Sequence, residues 1–226
     1  MPRIALIHAL AHSVAPINAA FERDWPEALR MNLLDDSLSA DLARSAAGLD
    51  AAMHERFRRL GDYAVDCGAD ALLFTCSAFG PCIDAVAQRH GRLPVLKPNE
   101  AMLAEALNLA GRIGGRIGLV ASFAPTLRSM PDEFPPAARL DTELAAGAMD
   151  ALDRGDVAAH DEAAAAAALR LRERGCSVIA LAQFSLARAA EAVRRATGLT
   201  VLTTPDSAVA EIRRRLTARR PEGLTA

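Results

Sequence analysis

The sequence has few of the residues that mark several protein classes. Only four cysteines occur in 226 residues, and no two of them form a CxxC pair. This pattern does not suit a disulfide framework or a structural zinc site, so we expect free thiols and no bound metal. Lys and Arg number 26 and Asp and Glu 28, with no long run of one sign. The chain therefore lacks the charge pattern of a nucleic-acid or membrane-surface partner.

Long apolar stretches are also missing. No segment is long enough to span a bilayer, and the N-terminal MPRIALIHAL runs into a strand-like pattern without a signal-peptide cleavage region. We therefore expect a cytoplasmic protein. No P-loop, Ser-His-Asp signature or EF-hand spacing occurs. The glycines at 111–118 precede a strand, whereas a dinucleotide-binding loop follows one, so they predict a helix end and a turn.

An internal repeat is the most informative feature that is present. The strand-like segment from Ile4 recurs from Ile117, and GADALLFTC at 68–76 recurs as GCSVIALAQ at 175–183. LPVLKPNEAM from Leu93 recurs as LTVLTTPDSA from Leu199. The three offsets are similar, which favours two pseudo-symmetric lobes, since a solenoid needs several short stacked units. In this alignment Gln183 takes the position of Cys76.

Short apolar runs alternate with amphipathic helical patterns, as in parallel sheets with crossover helices. The sequence thus predicts an α/β fold of two lobes with parallel sheets. The predicted strands are 3–8, 29–34, 70–75, 93–96, 116–121, 140–146, 177–182 and 199–203. The last strand and helix are expected to cross back onto the first lobe. We therefore assign 1–97 plus 199–226 to lobe 1, with Cys76, and 98–198 to lobe 2, with Gln183.

Cys76 lies in the segment TCSAFGP, where a buried strand ends and a helix begins. Open α/β sheets bind their ligands at the carboxyl ends of their strands. Backbone N–H groups around Ser77 and Ala78, and the positive helix end, are expected to lower the thiol's pKa and to bind a carboxylate. The alternative is a small buried cysteine at a tight turn. Recurrence of the loop as Gln183-Phe184-Ser185 favours a functional thiol.

The fragments GADALLFTCSAFG and SVIALAQFSLARA, with their strand–loop–helix turns, resemble the aspartate/glutamate racemase superfamily. That superfamily includes hydantoin and allantoin racemases, maleate isomerases and arylmalonate decarboxylases, and the likeness covers nearly the whole chain. It implies a cofactor-independent enzyme of two flavodoxin-like lobes with the active site in the cleft between them. In that family two cysteines, one per lobe, work on opposite faces of a carbon next to a carboxylate or carbonyl. Cys76 matches the first cysteine, and Gln183 stands where the second is expected.

The missing second thiol leaves three hypotheses open. The resemblance implies a racemase or isomerase of an amino acid, dicarboxylate or hydantoin-like compound, acting by proton transfer or attack from Cys76. Decarboxylation of substituted malonates is the second hypothesis, because one cysteine suffices for it. A non-catalytic carboxylate-binding protein is the third. Gln183 cannot shuttle protons at neutral pH, although it can orient a substrate oxygen.

Removing a proton beside a carboxylate produces an enolate-like dianion, so the site needs a base and hydrogen-bond donors. Besides the backbone of the Cys76 loop, the candidate donors are the hydroxyls of Ser122, Thr126 and Ser185. The expected partner is a small-molecule carboxylate, and a homodimer is the default assembly.

His8 ends the first strand, and the segment that recurs opposite it, 121–123, matches a substrate-contacting loop of the resembled family. His8 is therefore a candidate for the wall of the site, either as an acid or base or as a structural histidine with satisfied hydrogen bonds. His12 follows without an HExxH arrangement, which disfavours zinc.

Lys97 and Asn99 form a second candidate pair, in the segment KPNE after the fourth predicted strand. Asn99 is expected to cap the next helix and to hold a substrate carboxylate. Lys97 is expected either to do the same or to pair with Glu100 at the surface.

Overall fold

A computed structural model describes residues 1–219 of the chain as ten α-helices, eight β-strands and four short 3₁₀ turns. The chain divides into two compact units. One unit comprises Met1–Pro98 together with the described residues from Ala208 onward, and the other comprises Asn99–Ser207. The predicted α/β class with two lobes is confirmed.

The first unit contains strands β1 (Arg3–His8), β2 (Leu29–Leu34), β3 (Ala71–Phe74) and β4 (Val95–Leu96), and helices α1 (Val14–Asp24), α2 (Ser37–Arg44), α3 (Ala51–Asp66) and α4 (Gly80–Arg89). The second contains helices α5 (Glu100–Ile113), α6 (Ala124–Ser129), α7 (Ala148–Asp153), α8 (Val157–Glu173) and α9 (Ala190–Thr197), and strands β5 (Ile117–Ala121), β6 (Leu140–Leu144), β7 (Val178–Leu181) and β8 (Thr200–Thr203). Helix α10 (Thr204–Ala218) begins in the second unit, and its residues from Ala208 belong to the first.

Each unit has one parallel four-stranded sheet, and the two sheets have the same topology. Their strand orders are β2-β1-β3-β4 and β6-β5-β7-β8. In register, Ile4 pairs with Ala71 in the first sheet, and Ile117 pairs with Val178 in the second. These pairs are the ones that the repeat alignment predicts, so the internal repeat is confirmed.

All eight strands form where the apolar runs predict them, with bounds that differ by at most two residues. The placement of the last strand in lobe 1 is wrong. Strand β8 pairs along its length with β7, from Val178 opposite Thr200 to Leu181 opposite Thr203. A parallel strand next to β7 satisfies backbone groups that would otherwise stay unpaired at that edge, which holds β8 in the second sheet.

The core of the first unit packs α3 and α4 against the sheet. Asp50 caps α3 by accepting a hydrogen bond from Met53 N at 2.8 Å. Phe57 on α3 stacks on Phe74 of β3 at 5.4 Å between ring centroids and contacts Phe79 at 4.8 Å. This aromatic cluster lies on both sides of the Cys76 segment in sequence, and it anchors the loop that carries the thiol.

The core of the second unit depends on small residues. Buried alanines line the face of α8, and Gly118 of β5 lies opposite that helix. A Cβ atom at Gly118 would meet Leu171 and Ile179 at 3.0 Å, so glycine lets the helix and strand approach closely without displacing these side chains. Gly114 ends α5 with φ +60°, which confirms the predicted helix end and turn at 111–118.

Candidate active site

Cys76 and Gln183 occupy equivalent positions beyond the carboxyl ends of two central strands. Each is the second residue after its strand, β3 or β7, and each has an extended backbone. Each begins a 3₁₀ turn, Ser77–Phe79 or Phe184–Ala189, that leads into α4 or α9. In each unit the residue therefore lies at the carboxyl end of the sheet, where parallel α/β proteins bind ligands.

The thiol of Cys76 is half-buried against the core of the first unit. Burial is the largest influence on its pKa and raises it. The backbone N–H of Ala78 and the side chain of Ser39 hydrogen-bond to the sulfur and lower the pKa, but the net effect is upward. The prediction of a lowered pKa is therefore wrong, because the apolar surroundings of the sulfur outweigh the donors at the turn.

Ser39, on α2, is a residue that the sequence analysis missed. Its hydroxyl donates to the carbonyl oxygen of Ala9 at 3.2 Å, while its side chain also bonds to Cys76. A hydroxyl has one hydrogen and two lone pairs. Ser39 can therefore accept from a neutral thiol while donating to Ala9, or turn its hydrogen towards a thiolate. The hydroxyl is able to serve both charge states of Cys76.

Helix α2 is held beside Cys76 by an arginine clamp. Arg56 of α3 donates to Asp35 at 2.8 and 2.6 Å and to Asp41 at 2.7 Å, and it also bonds to Ser37. The hydrogen bond from Arg56 is the largest of the influences that hold the pKa of Asp41 below its usual range. Two carboxylates on one planar guanidinium give a fixed geometry, so the clamp orients the helix that carries Ser39.

The inner side of Cys76 is closed. Leu38, Phe57, Phe74 and Phe79 line, with the thiol and neighbouring residues of β1, a narrow gap with no room for a water molecule. Ala78, by contrast, is exposed. Reactants are therefore excluded from this inner side of the sulfur.

His8 is fully buried, and both of its ring nitrogens have protein partners. Its Nε2 lies 3.0 Å from Oδ1 of Asn32, and its Nδ1 lies 3.0 Å from Oγ1 of Thr75. Asn18 Nδ2 donates to Val14 O at 2.8 Å and also to Asn32 Oδ1 at 2.9 Å. Because the Asn32 oxygen is thus an acceptor, His8 carries its hydrogen on Nε2 and accepts from the Thr75 hydroxyl at Nδ1.

Burial lowers the pKa of His8, which agrees with a neutral ring. Of the two roles considered for His8, this geometry supports the structural one. The ring holds Thr75, the residue immediately before Cys76, and thereby positions the end of β3.

Gln183 is half-buried, and its side chain is held within the second unit by Ser122. Its Oε1 accepts from the backbone N–H of Ser122 at 2.5 Å and from the Ser122 hydroxyl at 3.0 Å. The structure thus brings two predicted residues into direct contact. Ser122 follows β5 just as Ala9 follows β1, so each unit places the residue after this strand beside its Cys76 or Gln183 position.

The remaining candidate site residues of the second unit are more deeply buried than Gln183. Thr126, Phe184 and Ser185 are each at least nine-tenths buried, on α6 and on the turn after Gln183. In the first unit, Ser77 is half-buried and lies beside Cys76 at the start of its turn.

Asn99 precedes α5 and is almost fully buried, but its side chain makes no capping hydrogen bond. Its Nδ2 instead points to Sδ of Met130 at 3.5 Å. Lys97 pairs with Asp84 at 3.1 Å. The predicted cap is therefore absent, because the turn directs the Asn99 amide into the core.

The sequence analysis missed three residues near the site: Ser39, Asn32 and Thr75. Of these, Ser39 and Asn32 could have been identified as candidates from the sequence. Asn32 lies in β2 and Ser39 on α2, the helix that follows that strand. Parallel strands of one sheet end on the same side of the sheet. Polar residues near the end of β2 were therefore available as candidates. The partners of Thr75 depend on the pairing of β3 with β1, which is not visible in the local sequence.

Within residues 1–219, no group of three His, Cys, Asp or Glu side chains is arranged to hold a metal ion. Over the same residues, every helix is too short or too polar to cross a bilayer.

Several solved structures share this fold. Glutamate racemase RacE1 from Bacillus anthracis superposes with a TM-score of 0.73 at 13% identity, over 97% of this chain and 83% of that one. Allantoin racemase from Klebsiella pneumoniae gives 0.69 at 17% identity, over 96% and 89%. A Gly74Cys mutant of arylmalonate decarboxylase gives 0.62 at 19% identity, over 100% and 97%. At these identities the likeness establishes the fold alone.

Sequence comparison is informative at the level of the family. A search of curated proteins finds no match. The profile of the family described as Asp/Glu/Hydantoin racemase matches residues 11–212, which is most of the chain. Together with the two equivalent units and their Cys76 and Gln183 positions, this match shows that the chain belongs to the Asp/Glu/hydantoin racemase family.

Proposed function

We propose that this protein is a cofactor-independent enzyme of racemase or isomerase type, in which Cys76 moves a proton at a carbon next to a carboxylate or carbonyl of a small substrate. The observation that carries the proposal is the setting of the thiol. Cys76 follows a buried strand, Ala78 N–H and Ser39 bond to its sulfur, and its inner side is closed by the core.

Proton transfer at such a carbon requires a group that can both accept and donate one proton. As a thiolate, Cys76 would accept the proton from the substrate carbon and leave the electron pair on the enolate. As a thiol, it would return a proton to that carbon. Ser39 supports either state, because its hydroxyl can accept from the thiol or donate to the thiolate. Attack of the thiolate on a double bond, with later expulsion, is the isomerase variant of the same device.

The substrate class is taken from the relatives. Family membership and the printed activities of the structural neighbours, on glutamate, allantoin and arylmalonates, support a small compound with a carboxylate or an amide-like carbonyl. Amino acids, dicarboxylates and hydantoin-like compounds are the first substrates to assay.

A second candidate is a single-cysteine decarboxylase of substituted malonates. Two observations favour it: burial raises the pKa of Cys76, and Gln183 takes the place of a second thiol. A thiol that is neutral at pH 7 is ready to donate. In this reaction the C–C bond breaks, CO₂ leaves, the electron pair stays on the enolate, and Cys76 S–H protonates the carbon.

The test is turnover in D₂O with the wild-type protein and with Cys76→Ser. The panel is D- and L-glutamate, D- and L-aspartate, maleate, allantoin and phenylmalonate, followed by ¹H NMR for proton exchange and isomerisation and by CO₂ release for phenylmalonate. Cys67→Ser is the matched control, because Cys67 is also half-buried but lies at the end of α3.

We expect at least one compound to react, and Cys76→Ser to lower its rate at least a thousandfold, with Cys67→Ser unchanged. CO₂ release alone would select the decarboxylase. Equal rates for Cys76→Ser and wild type would refute the cysteine mechanism. A compound that slows Cys76 alkylation but never reacts would identify a carboxylate-binding protein instead.

A further inference from the structure

The side-chain amide of Gln183 has a fixed orientation. A backbone N–H can only donate, so the atom of Gln183 that lies 2.5 Å from Ser122 N must be the oxygen. The Ser122 hydroxyl donates to the same oxygen at 3.0 Å. With the oxygen occupied, the two N–H groups of Nε2 point away from Ser122. Within residues 1–219, Nε2 has no hydrogen-bond partner.

We infer that Gln183 binds an oxygen of the substrate through the two N–H groups of its side chain, and so makes the second unit a subsite for a carboxylate or carbonyl oxygen. This inference rests on the proposed function, because it takes the Gln183 position, equivalent to Cys76, as substrate-facing.

The donor set decides which chemical group the subsite accepts. An amide NH₂ offers two hydrogens and no lone pair, so it suits an acceptor oxygen and opposes an ammonium group, which is also a donor. The Ser122 hydroxyl spends its only hydrogen on the glutamine oxygen, so the NH₂ group of Gln183 is the donor that remains for a ligand. The substrate group that meets this NH₂ is therefore a carboxylate or carbonyl oxygen.

The arrangement also explains how a glutamine can replace a thiol. Ser122 fixes Gln183 before any ligand arrives, so little conformational freedom is lost when Nε2 binds an oxygen. Hydrogen bonds from fixed donors gain strength as negative charge grows on that oxygen in an enolate. The Gln183 amide thus supplies charge stabilisation and transfers no proton.

NMR offers a direct test, because the chain has only two glutamines, Gln88 and Gln183. Selective ¹⁵N labelling of glutamine gives two side-chain amide signals, which Gln183→Glu assigns by losing one. Malonate, maleate, glutarate and D-glutamate are titrated as probes. We expect at least one of the four to shift the Gln183 NH₂ signal in a saturable way and to leave the exposed Gln88 signal unchanged.

The matched variants separate the donors from the local structure. Gln183→Glu keeps an oxygen for Ser122 but removes both N–H groups, and Gln183→Met removes them without adding charge. Each should weaken binding of the responding probe at least about tenfold, since hydrogen bonds to charged groups have that weight. Gln88→Glu, the same change at an exposed position of α4, should bind as wild type does.

The inference is overturned if none of the four probes moves the Gln183 signal, or if Gln183→Glu and Gln183→Met both bind as wild type. Failure of the proposed function gives a different result. If Gln183 binds a carboxylate but Cys76→Ser changes no turnover, the subsite stands and the cysteine mechanism falls. If turnover requires Cys76 while Gln183 does not respond, the mechanism stands and the subsite falls.

Discussion

The Thr75 hydroxyl lies 3.0 Å from Nδ1 of His8, which ties the residue before Cys76 to the end of β1. The other nitrogen of the same ring bonds to Asn32 in β2. One neutral imidazole therefore links β1, β2 and β3 at the carboxyl end of the sheet, where Cys76 lies. His8 and Thr75 are both buried, so they are expensive to leave unpaired, whereas Asn32 is exposed.

Replacing His8 should therefore destabilise the fold and change its response to acid. His8→Gln disturbs the buried hydrogen bond to Thr75, at a cost of about 1 kcal/mol in the free energy of unfolding. Burial lowers the pKa of His8 in the folded state, so its contribution to stability is complete above the unfolded pKa of about 6.5. That contribution is lost as the pH falls through the folded pKa.

Urea denaturation at pH 7.5 and 5.0 measures both effects. Wild type should lose more stability on acidification than His8→Gln does. His54→Gln, a substitution of a half-buried histidine on α3, is the control and should behave as wild type. An identical acid response in wild type and His8→Gln would contradict the prediction.

Removal of the Ser39 hydroxyl should raise the pKa of Cys76 further. The bond from Ser39 lowers that pKa, and alanine cannot provide it. The pH dependence of iodoacetamide alkylation, followed at Cys76 by peptide mass spectrometry, should have its midpoint above the ~8.5 of a free thiol in wild type and higher still in Ser39→Ala.

Ser45→Ala is the matched control. Ser45 follows the C-terminal end of α2, and its hydroxyl also donates to a backbone carbonyl, that of Gly48, at 3.0 Å. It should leave the alkylation profile unchanged. Coincident profiles for wild type and Ser39→Ala would exclude a role for Ser39 at the sulfur.

The Arg56 clamp should be sensitive to geometry as well as to charge. Lysine keeps the charge but cannot bond both Asp35 and Asp41 in the same plane, so Arg56→Lys should lower the free energy of unfolding by about 1 kcal/mol. Arg58→Lys, whose exposed pair with Glu55 lies within α3, should change it less than Arg56→Lys does. Thermal unfolding of both variants measures the two changes in stability. Equal effects would show that the clamp adds nothing beyond a surface ion pair.

A methyl group at Gly118 should be poorly tolerated. The new Cβ would lie 3.0 Å from Leu171 and Ile179, and such overpacking costs about 1–3 kcal/mol. Gly111→Ala provides the contrast, because Gly111 lies in α5 with nothing within 4 Å of its Cβ position. That change should stabilise the helix by up to about 1 kcal/mol. Chemical denaturation of the pair should give opposite signs.

The sequence by itself determined the eight strands, the repeat and the equivalence of Cys76 with Gln183. These features follow from local patterns: short apolar runs form buried parallel strands, and each run ends in residues that favour a turn. The paired registers of Ile4 with Ala71 and Ile117 with Val178 preserve the offsets seen in the chain.

Tertiary structure alone decided the sheet that β8 joins, the direction of the pKa of Cys76 and the partners of His8 and Asn99. Each depends on groups far away in the chain. Helix propensity and turn chemistry say nothing about how much water the folded core removes from a sulfur. The orientation of the Gln183 amide likewise follows from Ser122, which is 61 residues distant in sequence and adjacent only because β5 pairs with β7.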